Sequence, residues 1–381
     1  MNLFPTAKGW LTRVKNYQPG KPIEEVQREY GVKNAIKMAS NENALGPSPK
    51  AVIAMRAALG KVHRYPDGGC FYLREKLSKH LKVKPETLVF GNGSDELLVF
   101  LVRAFVGKGD EVVIADPTFL IYEISTQAED GTVVKVPMKH FNYDLDGMRK
   151  KINAKTKLVF IANPDNPVGT YVNAKRLTAF LEKVPKEVIV VVDEAYYEFA
   201  RGKRDYPDTL SMLADYKNLV VSRTFSKAYG LSGLRVGYCV ADPSIAAALN
   251  KVREPFNVNL LAQAAAVAAL DDRAHLKKTV EMTDEGRQYL TEQFTELGCD
   301  VVPTATNFVL VDMKTDTAKL HEKLMRAGVI IRPMAVWGLP TFIRVTIGRS
   351  RENQFFIRQL KQILKECDKH SHSHEETRRK S

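Results

Sequence analysis

Between residues 87 and 240 the chain repeats one arrangement: a short β-branched, apolar run, a polar or glycine-rich loop, and then, in most repeats, a segment with helical spacing. The runs are 87–90, 111–114, 132–136, 157–162, 187–192, 218–222 and 235–240. Runs so short and so continuously apolar read as strands buried on both faces, and the helices between them as the crossovers that parallel strands need. The pattern therefore predicts an α/β domain around a mainly parallel seven-stranded sheet flanked by helices. The last run follows its predecessor through a short connection and is predicted to be antiparallel to the rest.

At 381 residues the chain exceeds the usual size of one domain. Residues 1–48 read as an N-terminal arm and part of a small domain, 49–255 as the large domain, 256–366 as a smaller α+β domain, and 367–381 as a polar, disordered tail. The net charge is +13, yet the basic residues are scattered from Lys8 to Lys380 rather than gathered in one arm. That fits a small anionic substrate or plain solubility better than nucleic acid. Cys70, Cys239, Cys299 and Cys367 form no CxxC pair, which points to reduced thiols in a cytoplasmic setting, with no disulfide framework and no zinc site. No apolar run reaches the roughly 18 residues of a membrane span. The tail histidines, His370, His372 and His374, read as a solvated terminus, and no metal site is expected.

Open α/β sheets bind ligands beyond the carboxyl ends of their strands, and the chemically suggestive residues fall there one strand after another. After 87–90 comes Gly91-Asn-Gly-Ser-Asp-Glu96, where Gly93, Ser94 and Asp95 open an apolar helix. Free amides at such a start attract phosphate, although a simple capping turn has the same composition. After 111–114 comes Asp116-Pro-Thr-Phe119, whose aromatic ring could stack on a cofactor. After 157–162 comes Asn163-Pro-Asp-Asn-Pro-Val-Gly169, with Asn166 as a hydrogen-bond donor. Asp193 closes a run of valines and an isoleucine, where an unpaired charge is expensive; a protonated ring nitrogen would satisfy it, and so would a helix start. Tyr196 follows. Past 218–222, Lys227 comes after the hydroxyls of Ser222, Thr224 and Ser226, and Arg235 lies eight residues further on. Two hydroxyls and a guanidinium can form a phosphate cup while the lysine meets an aldehyde carbon. A solvated loop is the plainer alternative. Arg344 sits in the alternating segment Phe342-Ile-Arg-Val-Thr-Ile-Gly348, where it either meets an anion or faces outward.

Taken together, Asn163–Gly169, Asp193-Glu-Ala-Tyr196, Ser226-Lys227 and Arg235 resemble the signature of fold-type-I pyridoxal phosphate aminotransferases. Tyr17-Gln-Pro-Gly-Lys-Pro-Ile-Glu-Glu-Val26, Ala39-Ser-Asn-Glu-Asn43 and Ser226–Arg235 are similar to the histidinol-phosphate branch of that family, and the likeness runs from about residue 10 to 365. It implies pyridoxal 5'-phosphate as cofactor, Lys227 as the Schiff-base lysine, Asp193 as partner of the pyridine nitrogen, and Asn166 and Tyr196 at the ring's O3′. It further implies Ser94, Thr224, Ser226 and Arg235 around the phosphate, with Gly93 and Asp95 beside them. Arg344 would hold the substrate anion, with Tyr17, Asn43 and Arg332 as further substrate contacts. Tyr65 would reach the neighbouring site of a homodimer. The implied activity is transfer of an amino group from L-histidinol phosphate to 2-oxoglutarate in histidine biosynthesis. An aromatic amino acid aminotransferase on the same scaffold is the nearest alternative, a phosphothreonine decarboxylase a more distant one, and a non-catalytic basic nucleic-acid-binding or regulatory protein the alternative from another class. Asp165 and Val168 depart from the commoner Asn and Thr of the family pattern.

Overall fold

The computed structural model describes residues 4–379, with side chains through residue 366. It forms two compact units: residues 1–18, 45–280 and 304–306, and residues 19–44, 281–303 and 307–381.

The first unit is built on a seven-stranded sheet ordered Leu88–Gly91, Gly237–Ala241, Leu219–Thr224, Ile189–Asp193, Thr156–Ala162, Glu111–Asp116, Thr132–Pro137. Only Gly237–Ala241 runs antiparallel to its neighbours, as its short connection requires. Side chains alternate between two apolar layers: Ile189 and Val191 pack with Leu98, Leu101 and Tyr122, whereas Val190 and Val192 pack with Leu177, Phe180 and Met148. Helices cover both faces, which is why these strands read as continuous apolar runs rather than as alternating ones. The direction of winding reverses between Thr156–Ala162 and Glu111–Asp116, so the crevice for a ligand opens there.

The unit boundaries correct the division expected from sequence. The alanine-rich helix Leu260–Ala269 belongs to the first unit, where Ala262, Ala265 and Ala266 pack with Ala51, Leu73, Leu77 and Phe90. Alanine permits close helix approach, so its abundance marked a packing surface and not a change of domain. Residues 1–18 also group with the first unit; the Trp10 indole N–H donates to Ala128 O at 3.1 Å.

The second unit carries a four-stranded antiparallel sheet ordered Arg332–Pro333, Phe342–Thr346, Phe308–Asp312, Asp300–Val302. Its core is Leu290, Phe294, Val309, Val311, Phe356 and Leu360. The last helix spans Ser350–Arg379, so the backbone at 367–379 is helical where the polar composition predicts disorder. Polarity removes the ability to pack, but Glu, Lys and Arg remain good helix formers. The side chains of the tail, with its three histidines, and residues 380 and 381 lie outside the described residues.

Candidate active site

Five loops of the first unit's sheet meet at its carboxyl edge. Asp193 ends the Ile189–Asp193 strand with its side chain buried. The Tyr122 hydroxyl donates to its Oδ2 at 2.8 Å, whereas Oδ1 is buried without a hydrogen-bond partner. Burial pushes the carboxyl up to about 6; the Tyr122 and Ala195 hydrogen bonds oppose this, and the nearby Asp95 carboxylate adds to it. An acceptor held in this way suits a cationic N–H. The alternative reading of Asp193 as a helix cap does not hold: the short helix Tyr197–Ala200 has Tyr196 at its N-cap, with no side-chain capping bond.

Tyr122 is the residue that sequence reasoning missed. It is fully buried, stacks on Phe160 at 4.6 Å and meets Phe119 edge-on at 5.7 Å. One helical turn past Phe119, it carries no signal of its own beyond lying in the same loop-to-helix segment. Phe119 itself is partly buried against the same layer.

The candidate phosphate end is built from Gly93 and Arg235. Helix Ser94–Phe105 begins after Gly93 with no side-chain capping bond, so neither Ser94 nor Asp95 serves as the cap that the sequence allowed. Gly93 has φ +85°, and a Cβ there would lie 2.4 Å from Arg235 Nη2. Only glycine lets that guanidinium lie over the helix start. Arg235, itself at φ 56°, directs Nη1 to Ser226 Oγ at 3.4 Å and to Ser232 O at 3.1 Å, and Nη2 to Asp95 Oδ2 at 3.4 Å. Its side chain remains 40% exposed, leaving room for an anion. Thr224 and Ser226 are buried, and the Ser226 amide donates to Thr224 Oγ1 at 3.1 Å. Helix-start amides, two hydroxyls and a guanidinium are the donors a phosphate needs, and Asp193 Oδ1 is an acceptor suited to a pyridinium N–H, so the donor set fits pyridoxal 5'-phosphate.

Lys227 is half-buried, with Nζ 5.8 Å from the centroid of the Tyr196 ring. Behind it lies a buried ion pair: Arg223 donates through Nε to Glu194 Oε2 at 2.8 Å, and Nη2 lies 2.7 Å from the same oxygen but out of line for a hydrogen bond. Thr209 donates to Glu194 Oε1 at 2.6 Å, and the guanidinium stacks on Tyr197 at 3.4 Å. This pair ties the strand before Lys227 to the loop after Asp193. Asn166 is half-buried in the loop after Thr156–Ala162. Tyr65, 84% exposed, stacks on Phe256 at 4.9 Å, and Tyr17 is also exposed.

In the second unit Arg344 is buried, not outward-facing, and donates to Ala39 O at 2.9 Å. It stands directly across the sheet from Arg332, also buried, and both guanidinium groups lie near the Trp337 ring, at 5.9 and 5.4 Å. Asn43 is half-buried in the loop after Ile36–Lys37. Among the described residues no cluster of His, Cys, Asp or Glu could hold a metal ion, and no helix is long and apolar enough to cross a membrane.

The family pattern of aminotransferase class I and II matches residues 33–360. The chain is 51% identical over 361 residues to histidinol-phosphate aminotransferase of Moorella thermoacetica, covering 94% of this chain and 93% of that one. It is 49% identical to the same enzyme of an Anaeromyxobacter species over 95% and 100% of the two chains. Its fold matches the crystal structure of histidinol-phosphate aminotransferase from Sinorhizobium meliloti in complex with pyridoxal-5'-phosphate, with a TM-score of 0.88 and 32% identity over 96% and 99% of the chains. The chain belongs to the class I and II aminotransferases, among the histidinol-phosphate aminotransferases.

Proposed function

We propose that the protein transfers the amino group of L-histidinol phosphate to 2-oxoglutarate, using pyridoxal 5'-phosphate held at the carboxyl edge of the seven-stranded sheet. The observation that carries this reading is Asp193 Oδ1, a buried acceptor without a partner one strand from the switch in winding, in the unit that also holds Lys227 and the Arg235 phosphate cup. When bound, the cofactor supplies an aldehyde carbon and a ring that draws electrons from the substrate carbon. Arg235, Ser226, Thr224, Ser94 and the Gly93–Ser94 backbone, near Asp95, anchor the phosphate. Asp193 would keep the ring nitrogen protonated, Phe119 would stack on the ring, and Asn166 and Tyr196 would donate to O3′. Lys227 Nζ would hold the cofactor covalently through its aldehyde carbon, and the same amine would serve as the base and acid that moves a proton at the substrate carbon.

The cross-strand Arg332–Arg344 pair favours a phosphorylated substrate over an aromatic amino acid. Like charges directly opposite on a sheet repel, and a phosphate dianion complements both. Tyr17 and Asn43 are the remaining substrate candidates. Exposed Ile53, Val62, Tyr65, Phe71 and Tyr72 in the first unit support a homodimer in which Tyr65 serves the neighbouring copy. The free thiols of Cys70, Cys239 and Cys299 suit a reducing compartment, which favours the cytoplasm and can be read by cell fractionation. The functional test is the visible absorption of the cofactor-loaded protein during titration with amines. L-histidinol phosphate should shift the band and phenylalanine should leave it; a shift with phenylalanine alone overturns the substrate assignment.

A further inference from the structure

Asp165 is one of the two departures from the family pattern, and it is fully buried. Its Oδ2 accepts the Thr118 hydroxyl at 2.8 Å and the Tyr143 hydroxyl at 2.9 Å, while Oδ1 accepts the Val168 amide at 3.1 Å. Its backbone closes the same loop, donating to Thr170 O at 2.8 Å and accepting from the Gly169 amide at 2.9 Å. The Tyr143 oxygen in turn accepts from the Ala162 amide at 3.0 Å, and Ala162 stands in register beside Asp193. No ion pair among the described residues involves Asp165, so three neutral donors hold this carboxylate.

The location gives the cluster its meaning. Thr118 lies in the loop after Glu111–Asp116 and Asp165 in the loop after Thr156–Ala162, the two strands between which the winding reverses. Thr118 immediately precedes Phe119, and Asp165 immediately precedes Asn166. One carboxylate therefore joins the loop bearing the ring-stacking aromatic to the loop bearing the O3′ donor. An asparagine could not reproduce the clasp. With its oxygen toward the two hydroxyls, its NH2 group meets the Val168 N–H; turned over, its NH2 would donate to the hydroxyls, whose own protons must then turn to other acceptors.

We propose that Asp165 is a positioning residue, its carboxylate clasping the two loops at the switch point so that Asn166 and Phe119 hold a fixed separation across the cofactor ring. The inference rests on the reading that Asn166 contacts O3′. The test compares wild type, Asp165→Asn, Asn166→Ala and the double variant, each loaded with pyridoxal 5'-phosphate. It measures the cofactor dissociation constant and the pH at which the visible band of the bound cofactor changes. Asn166→Ala should weaken retention about tenfold and move that pH, and Asp165→Asn should act in the same direction by several-fold. The double variant should match Asn166→Ala to within about twofold, because Asp165 acts through Asn166. Multiplying effects, or a folded Asp165→Asn protein with unchanged affinity and spectrum, overturn the proposal. An unchanged Asn166→Ala protein instead overturns the O3′ contact itself, a separate and distinguishable failure. If Asp165→Asn does not fold, Thr118→Val, which removes one hydroxyl and keeps the carboxylate, is judged by the same cycle.

Discussion

Asp193 is costly to the empty protein, and the cofactor removes the cost. Burial lifts its carboxyl from the ordinary value of 3.8 to about 6, with Tyr122 and Ala195 opposing only in part and Asp95 adding repulsion. Roughly two pH units correspond to about 3 kcal/mol against the ionised form, an order-of-magnitude figure. Because the folded-state value is raised, this group costs nothing below about pH 4, and stability is lost as pH rises through about 6. Asn cannot ionise and keeps an acceptor oxygen for Tyr122. Cofactor-free Asp193→Asn protein should therefore be more stable than wild type by about 1–3 kcal/mol near pH 8, and equal to it near pH 4. Urea denaturation of cofactor-free wild type and variant at the two pH values measures the difference. Glu198, pushed up to about 7 by burial, titrates in both proteins and cancels; Asp165, also pushed up to about 7 by burial, is raised further by the Asp193 charge, so removing that charge adds to the variant's advantage at high pH. With pyridoxal 5'-phosphate present the order should reverse, since wild type regains an ion pair that the variant cannot make. A variant that is less stable at both pH values, or shifted equally at both, would refute the claim that Asp193 is held under electrostatic strain for a cation.

Arg235→Ala removes the guanidinium over the helix start, and the loss of charge-assisted bonds to phosphate should weaken cofactor binding about ten- to a hundredfold while leaving the far-UV spectrum unchanged; equilibrium dialysis against the cofactor reads it. The exposed Tyr65 and its apolar neighbours should be covered by a second copy, so light scattering should give twice the 42.8 kDa chain mass. A monomer at micromolar concentration would remove that assignment.

The sheet was legible because strands buried on both faces must be apolar along their whole length, and those at 111–116 and 156–162 betray themselves by composition alone. The loops were legible for a different reason: Gly93, Asp193, Lys227 and Arg235 are residue types that a plain core would not place at strand ends. Two things were not legible. The Leu260–Ala269 helix was assigned to the wrong unit because alanine spacing records close packing but not the partner, and its partners, Ala51 and Leu73, lie about two hundred residues earlier. Tyr122 was passed over, and Asp165 was noted only as a departure from the family pattern, because each looks ordinary in its own segment. A tyrosine in an apolar helix reads as core, and an Asp beside a proline reads as a turn former. Their roles exist only across the sheet, where a phenol from a helix meets the carboxylate at the end of another strand, and a carboxylate from one loop meets the hydroxyl of a second. Sequence reasoning of this kind singles out candidate ligand-binding groups, because their chemistry is unusual. The groups that hold them in place use common chemistry at unusual positions, and only the register of the folded strands discloses it.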